Sequence, residues 1–230
     1  MKYTTTKRAT FLSRPNRFVA YVSIDGHEEK VHVKNTGRCK ELLVPGCDVI
    51  LAEGQNEKRA TKYDLIGVYK NGQLINMDSQ APNKVVHEFL KETGRFGEIT
   101  YIKPEYTYEN SRIDFYFETS DGKKHLMEVK GVTLEREHHC FFPDAPTARG
   151  VKHMLELKKA HERGFETYLM FVIQLEGVMD IAPNDETDPL FGSEFRNVTN
   201  AGVKALAYDC TVKEDELLLN KEIIVKNSQA

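Results

Sequence analysis

The first third of the chain alternates short apolar or β-branched runs with turn signals. Asp25-Gly26 separates residues 18–23 from residues 29–33, and this arrangement is typical of a β-hairpin. Further strands are predicted at residues 47–52, 65–69 and 73–76. About five short strands in so short a stretch are typical of a small β-barrel of the OB type. We therefore predict an OB-like β-barrel over residues 1–80 that binds nucleic acid.

From residue 81 onward the apolar pattern becomes mixed. Val85, Val86, Phe89 and Leu90 form the apolar stripe of a helix that Asn83 can cap and that ends near residue 92. Three strands, a second helix and an apolar strand follow, at residues 99–108, 112–118, 124–133, 147–163 and 167–175. A last helix and two strands are predicted at residues 189–200, 203–212 and 216–225, and residues 135–146 are predicted to be irregular. The order αβββαβ predicts an α+β or α/β domain over residues 81–230.

Two polar residues interrupt the third of these strands. Glu128 and Lys130 are two positions apart, so their side chains project from the same face, and a neighbouring strand can bring Asp114 beside them. Two carboxylates and an ammonium are costly to bury together unless they bind something. We expect Mg²⁺ or Mn²⁺ there, held by Asp114, Glu128 and the Val129 carbonyl oxygen. Lys130 would orient or deprotonate a water, or offset charge on a phosphate.

This Asp followed by Glu-x-Lys, set in an αβββαβ order, resembles the PD-(D/E)xK nuclease superfamily. The resemblance implies a metal-dependent phosphodiesterase site with Asp114, Glu128 and Lys130 as its catalytic residues. Superfamily members often add an acid from the helix before the sheet, and Glu88 is the predicted residue. Glu105 on the preceding strand competes for the same role.

Basic residues indicate where DNA would bind. Arg14, Arg17, Arg38 and Lys40 flank Gly37, which permits close approach of a backbone. Arg149 and His153 begin the second helix, where the helix N-terminus also favours an anion. For each group a structural role is the alternative. Arg38 would stabilise its loop by binding backbone carbonyls, Arg149 would form a salt bridge, and His153 would be an ordinary surface histidine. Tyr21 and Phe18 are candidate aromatic contacts, although aromatic residues in short strands are more often core.

Composition sets limits on the class of protein. The chain has 230 residues, 40% of them hydrophobic and 29% charged, with a net charge of −3 that does not by itself mark a nucleic-acid binder. No stretch is long and apolar enough to span a membrane. The four cysteines form no CxxC pair, so we expect reduced thiols in a cytoplasmic protein and no zinc site.

Several segments together are similar to the family called sugar fermentation stimulation protein A. The matching segments are residues 14–18, 35–43, 111–115, 128–130 and 142–150, with Lys152-His153 and Glu156-Leu157. The resemblance implies a DNA-binding protein with an OB-like first domain and a nuclease-like second domain. The family name describes a phenotype of enhanced sugar use and specifies no biochemical activity.

Three functions follow as hypotheses. The first is a Mg²⁺- or Mn²⁺-dependent nuclease, and the second is a non-catalytic DNA-binding regulator of sugar-metabolism genes on a nuclease-like fold. A sugar-metabolising enzyme is the third, but the sequence shows no sugar-site signature. The form of the DNA stays open, and an exposed strand at residues 216–225 is a candidate for a homodimer contact.

Overall fold

The computed structural model describes residues 1–35, 37, 39–54, 59–109 and 111–228. Arg38, one of the predicted DNA contacts, lies outside these residues. The first domain consists of six strands: β1 (Thr6–Asn16), β2 (Val19–Ile24), β3 (His27–Val33), β4 (Asp48–Glu53), β5 (Tyr63–Lys70) and β6 (Gln73–Asn76).

Five of these strands close into a barrel. The sheet runs β3-β2-β1-β4-β5, and β3 then pairs with β5 in parallel at His32↔Asp64 and Val33↔Leu65. The inward side chains, such as Val22, Val31 and Val49, are fully buried. This is the predicted OB-like barrel, and the prediction is confirmed. β6 extends the sheet by pairing with β5.

The first strand was not predicted. β1 is an 11-residue strand in the barrel wall, with Ala9 and Phe11 buried. Irregular pairing with β2 after Phe11 breaks the two-residue periodicity that would have revealed it. Lys7 and Arg8 are not an open cationic patch, because they pair with Asp25 and Glu214.

The second domain follows the predicted order. Its elements are α1 (Ala81–Glu92), β7 (Ile99–Tyr108), β8 (Ser111–Thr119), β9 (Lys124–Val132), β10 (Glu135–Arg136), β11 (His139–Phe142), α2 (Ala148–Glu162), β12 (Glu166–Ile173), β13 (Asp180–Pro183), α3 (Pro189–Asn200), β14 (Lys204–Val212), β15 (Leu217–Glu222) and β16 (Ile224–Val225). The main sheet runs β15-β14-β12-β9-β8-β7. α1 packs on one face of it, and α2 and α3 pack on the other. β12 lies inside the sheet, covered on both faces, as its apolar run predicts.

Two local predictions are wrong. Part of the stretch predicted to be irregular forms β10 and β11, which join β13 and β16 in a second, four-stranded sheet. These strands have two to four residues, too few for a periodic pattern. In addition, α1 begins at Ala81 with Pro82 in its first turn, so Asn83 lies inside the helix and its side chain is free for another contact.

Buried polar groups join the two domains. Gln174, at the end of β12, donates from Nε2 to Asn76 Oδ1 at 2.8 Å and to the Asp78 carbonyl at 3.0 Å. Asp78 is fully buried and accepts from Lys34 Nζ at 2.8 Å. One hydrophobic cluster also contains residues of both domains. Among the described residues, no helix combines the length and the hydropathy that crossing a membrane requires.

Candidate functional site

β8 and β9 separate at Asp114. Their antiparallel ladder runs from Glu118↔Lys124 to Phe115↔Met127 and ends there. Beyond it, the Val129 N–H donates to Asp114 Oδ2 at 2.8 Å. The N–H and C=O of a strand residue point to the same edge, so the Val129 carbonyl also faces the opening between the two strands. A carboxylate and a carbonyl oxygen therefore face one gap in the sheet.

Asp114 is held on both oxygens. Its Oδ1 accepts from Asn83 Nδ2 at 2.8 Å. The Asn83 side chain can make this hydrogen bond because it does not cap α1. Burial raises the pKa of Asp114, and the negative charge of Glu128 raises it further. The two carboxylates thus repel each other across the gap, and a bound cation would relieve that repulsion.

Glu128 is only 3% exposed, yet its surroundings favour the charged form. Its Oε1 accepts from Lys130 Nζ at 2.7 Å and also from His153 Nδ1. Burial is the largest influence and raises its pKa, but the His153 hydrogen bond and the Lys130 charge outweigh it, so the pKa lies below the ordinary value. Its second oxygen, Oε2, is buried and has no hydrogen-bond partner among the described residues. An ionised carboxylate with one unsatisfied buried oxygen suits a metal ligand.

His153 reaches Glu128 from α2, which begins where Thr147 Oγ1 accepts from the Gly150 N–H at 3.0 Å. Arg149 Nε donates to His153 Nε2 at 3.4 Å, so Nε2 is the acceptor and Nδ1 carries the proton donated to Glu128. His153 is 4% exposed. This burial contradicts the alternative of a surface histidine, and the predicted contact of His153 with DNA stays a prediction.

The two candidate extra acids lie elsewhere. Glu88 accepts from the Met1 ammonium at 2.7 Å, and that ammonium also donates to Leu217 O of β15, at the far edge of the sheet from β8. Glu105 on β7 is exposed and approaches Arg112 at 3.6 Å. The structure therefore does not bring Glu88 to Asp114. No group of three metal-ligating side chains occurs in the described part of the chain.

The residue of α1 that reaches Asp114 is Asn83, for which the sequence predicts a helix cap. A helix turns by 100° per residue, so Asn83 and Glu88 lie on different sides of α1. Which side faces the opening depends on how the helix lies across the sheet. The sequence therefore predicted the helix that contacts Asp114 but not the side chain that makes the contact.

Three predicted DNA contacts meet in a groove on the barrel. Arg14, Arg17 and Lys40 line a cavity of about 670 Å³ together with Phe11, Leu12, Leu43 and Pro45. Arg14 also donates to the carbonyl oxygens of Arg17 and Asn35, at 2.9 and 2.6 Å, which fixes its position. Arg149 lies apart from this group, beside His153.

Comparison with known proteins covers both domains. The family model described as "Sugar fermentation stimulation protein RE domain" matches residues 80–216, and "SfsA N-terminal OB domain" matches residues 12–77. A sugar fermentation stimulation protein homolog of Desulfitobacterium hafniense is 54% identical over 226 residues, 98% of each chain. One from Clostridium beijerinckii is 51% identical over 217 residues, 94% of this chain and 96% of the other.

A solved structure shares the whole fold. The SfsA protein of Pyrococcus furiosus, determined in complex with Ca²⁺, superposes with a TM-score of 0.90 at 27% identity, covering 98% of both chains. The resemblance noted in the sequence is thereby confirmed. The chain belongs to the sugar fermentation stimulation protein family.

Proposed function

We propose that this protein binds DNA and hydrolyses phosphodiester bonds with a divalent metal ion, Mg²⁺ or Mn²⁺, at the opening between β8 and β9. The observation that carries the proposal is Glu128: a buried carboxylate, held in its charged form, with Oε2 unpaired. An unpaired buried acceptor is costly unless a ligand satisfies it. A hard cation is the ligand that suits two carboxylates.

Asp114, Glu128 and the Val129 carbonyl would hold the metal. All three present oxygen, which Mg²⁺ and Mn²⁺ prefer. The Ca²⁺ complex of the Pyrococcus protein supports divalent binding in this family. When bound, the metal would neutralise charge on the phosphate and lower the pKa of a water nucleophile.

Side chains of the protein would orient the water, position the metal ligands and bind the DNA. Lys130 extends from the same face as Glu128, where its ammonium can orient a water or offset the charge of a phosphate. Asn83 and the Val129 N–H fix Asp114, and His153 fixes Glu128. Arg14, Arg17, Lys40 and Arg149 would contact DNA phosphates. Cytoplasmic location and a homodimer through the β15 edge stay predictions.

A second candidate is a non-catalytic DNA-binding regulator on the same fold. It is favoured by the absence of a third acidic ligand among the described residues. It is also favoured by the direct Lys130–Glu128 ion pair, which keeps the ammonium on the carboxylate. The two candidates share DNA binding and differ only in cleavage.

Cleavage assays separate them. Purified protein would be incubated with single-stranded, duplex and branched DNA in Mn²⁺, in Mg²⁺ or in EDTA. We expect metal-dependent cleavage that Lys130→Ala abolishes. Lys123→Ala, at an exposed lysine in the turn between β8 and β9, is the matched control and should cleave normally. Binding without cleavage in either metal would instead establish the regulator.

A further inference from the structure

The groove on the barrel has a mixed lining. Its cations, Arg14, Arg17 and Lys40, share the lining with the apolar residues Leu12, Leu43 and Pro45. Cations attract phosphates, and apolar surface gains by covering the faces of bases. A ligand that presents both phosphates and unstacked bases fits this lining. In a duplex the base faces are already stacked, so the apolar part of the groove would contribute nothing.

The rim of the groove adds an aromatic ring. Phe18 is 51% exposed, and the Arg17 guanidinium lies 5.7 Å from the centre of its ring. An exposed aromatic side chain beside an arginine is a stacking platform for a base. The cavity of about 670 Å³ is also within the range of about 300–1,000 Å³ that holds small ligands, which suits one or two nucleotides and not a double helix.

A second cavity lies beside this groove. It measures about 330 Å³, and Gly37 and Ala145 line both cavities. Gly131, the residue after Lys130, also lines the second cavity. A Cβ on Gly131 would lie 2.6 Å from Gln174 Oε1 and 2.9 Å from Pro82 Cγ, so only glycine fits this position.

We propose that the preferred DNA is single-stranded: it binds in the barrel groove and passes by Ala145 to the site at Lys130. This inference rests on the proposed function for its cleavage step, but not for its binding step. Bases would stack against Phe18 and the apolar lining, while Arg17 and Lys40 contact phosphates. The groove thus selects the substrate, and the second cavity delivers it.

The binding step is tested in EDTA, where cleavage cannot contribute. Fluorescence anisotropy would compare a labelled oligothymidine with a duplex of equal length. We expect tighter binding of the single strand. Phe18→Ala should weaken it about tenfold. Arg17→Gln combined with Lys40→Gln should lower the slope of log K against log salt by about 1.4, two phosphate contacts at about 0.7 each.

Lys30→Gln is the matched control, because Lys30 is an exposed cation on the same barrel outside the groove. It should leave the single-strand affinity unchanged. Equal or tighter binding of the duplex, or groove variants that bind like the wild type, would overturn the inference even if the protein cleaves DNA. Failure to bind any DNA would overturn both proposals.

The delivery step is tested at Ser79, an exposed residue that lines the second cavity but not the groove. Ser79→Trp fills the second cavity, and Ser79→Glu puts a negative charge there with less bulk. Both should retain oligothymidine binding in EDTA but lose cleavage in Mn²⁺, at least tenfold relative to Ala60→Trp and Ala60→Glu at an exposed position of the barrel domain. Unimpaired cleavage by either folded variant would overturn the path. A wild type that binds single strands without cleaving them would overturn the nuclease proposal and the delivery step, leaving the groove as a binding site.

Discussion

At the scale of single residues, Glu128 determines the chemistry of the site. Three groups bear on its carboxylate: the Lys130 ammonium, the His153 ring and the charge of Asp114. Both donors use Oε1, so they hold the side chain in place without satisfying Oε2. The geometry keeps one oxygen available in a buried position, which is the arrangement that a metal ligand needs.

Metal titrations test this reading residue by residue. By isothermal calorimetry with Mn²⁺ or Mg²⁺, we expect Asp114→Asn and Glu128→Gln to abolish binding, because each removes a charged ligand. His153→Ala should weaken binding about 10- to 100-fold, because it frees Glu128 to move. His153→Asn keeps a donor near Nδ1 and should recover part of the affinity.

The control for this series is Asp121→Asn, at an exposed acid in the turn between β8 and β9 that should not alter metal affinity. Unchanged affinity in both Asp114→Asn and Glu128→Gln would show that the metal site lies elsewhere. If the His153→Ala variant binds metal with normal affinity, His153 does not position Glu128 for the metal and only packs in the core.

At the scale of elements, strand periodicity was a good guide to β9 and a poor guide to the contacts between elements. The Glu-x-Lys spacing correctly placed Glu128 and Lys130 on one face, and their charged groups are 2.7 Å apart. Packing between elements sets the point where the β8–β9 ladder ends beside Asp114. It also sets which side of α1 faces the opening. For that reason the sequence predicts Glu88 as a site residue and does not identify Asn83.

The small second sheet makes a prediction about pH. Asp180 on β13 accepts from His139 Nδ1 and from Lys226 Nζ, both at 2.8 Å. Burial raises its pKa, but these two hydrogen bonds outweigh burial and the pKa is lowered. Its contribution to stability is therefore present above the ordinary aspartate pKa of about 3.9 and is lost as the pH falls through the lower, folded value.

We expect Asp180→Asn to lower the free energy of unfolding by about 1 kcal/mol at pH 7, since its partners are partly exposed. The difference from the wild type should shrink below pH 4 or so, where the wild-type carboxyl begins to protonate. Urea unfolding at several pH values measures this, with exposed Asp215→Asn as the control. A difference that stays constant down to pH 2 or so would contradict the role of the charge.

In the whole molecule, the barrel and the second domain form one packed unit. They share a hydrophobic cluster, and Gln174 bridges to Asn76 and Asp78 while only 1% exposed. Gly37 of the barrel and Ala145 of the loop before α2 line both cavities, so both domains contribute to that lining. The proposed path for DNA therefore depends on the junction between the domains.

Calorimetric unfolding tests the junction. We expect one cooperative transition for the wild type, because the shared core couples both domains. Gln174→Ala removes two buried hydrogen bonds, although Asn76 Oδ1 and the Asp78 carbonyl each keep one other donor, and it should cost about 1–3 kcal/mol. Gln80→Ala at an exposed position should cost little. Two separate transitions in the wild type would contradict the coupling.

The barrel, the order of the second domain and the candidate cluster of Asp114, Glu128 and Lys130 could be predicted from local periodicity, turn chemistry and residue spacing, which neighbouring residues carry. The family was identified from the resemblance of several sequence segments. Packing between distant elements brings Asn83 to Asp114 and buries His153 against Glu128. It also pairs Lys7 with Asp25 and Arg8 with Glu214, and it places Gly37 and Ala145 in the lining of both cavities. Those contacts join residues far apart in the chain, and their geometry is set by how helices and barrel pack on the sheet.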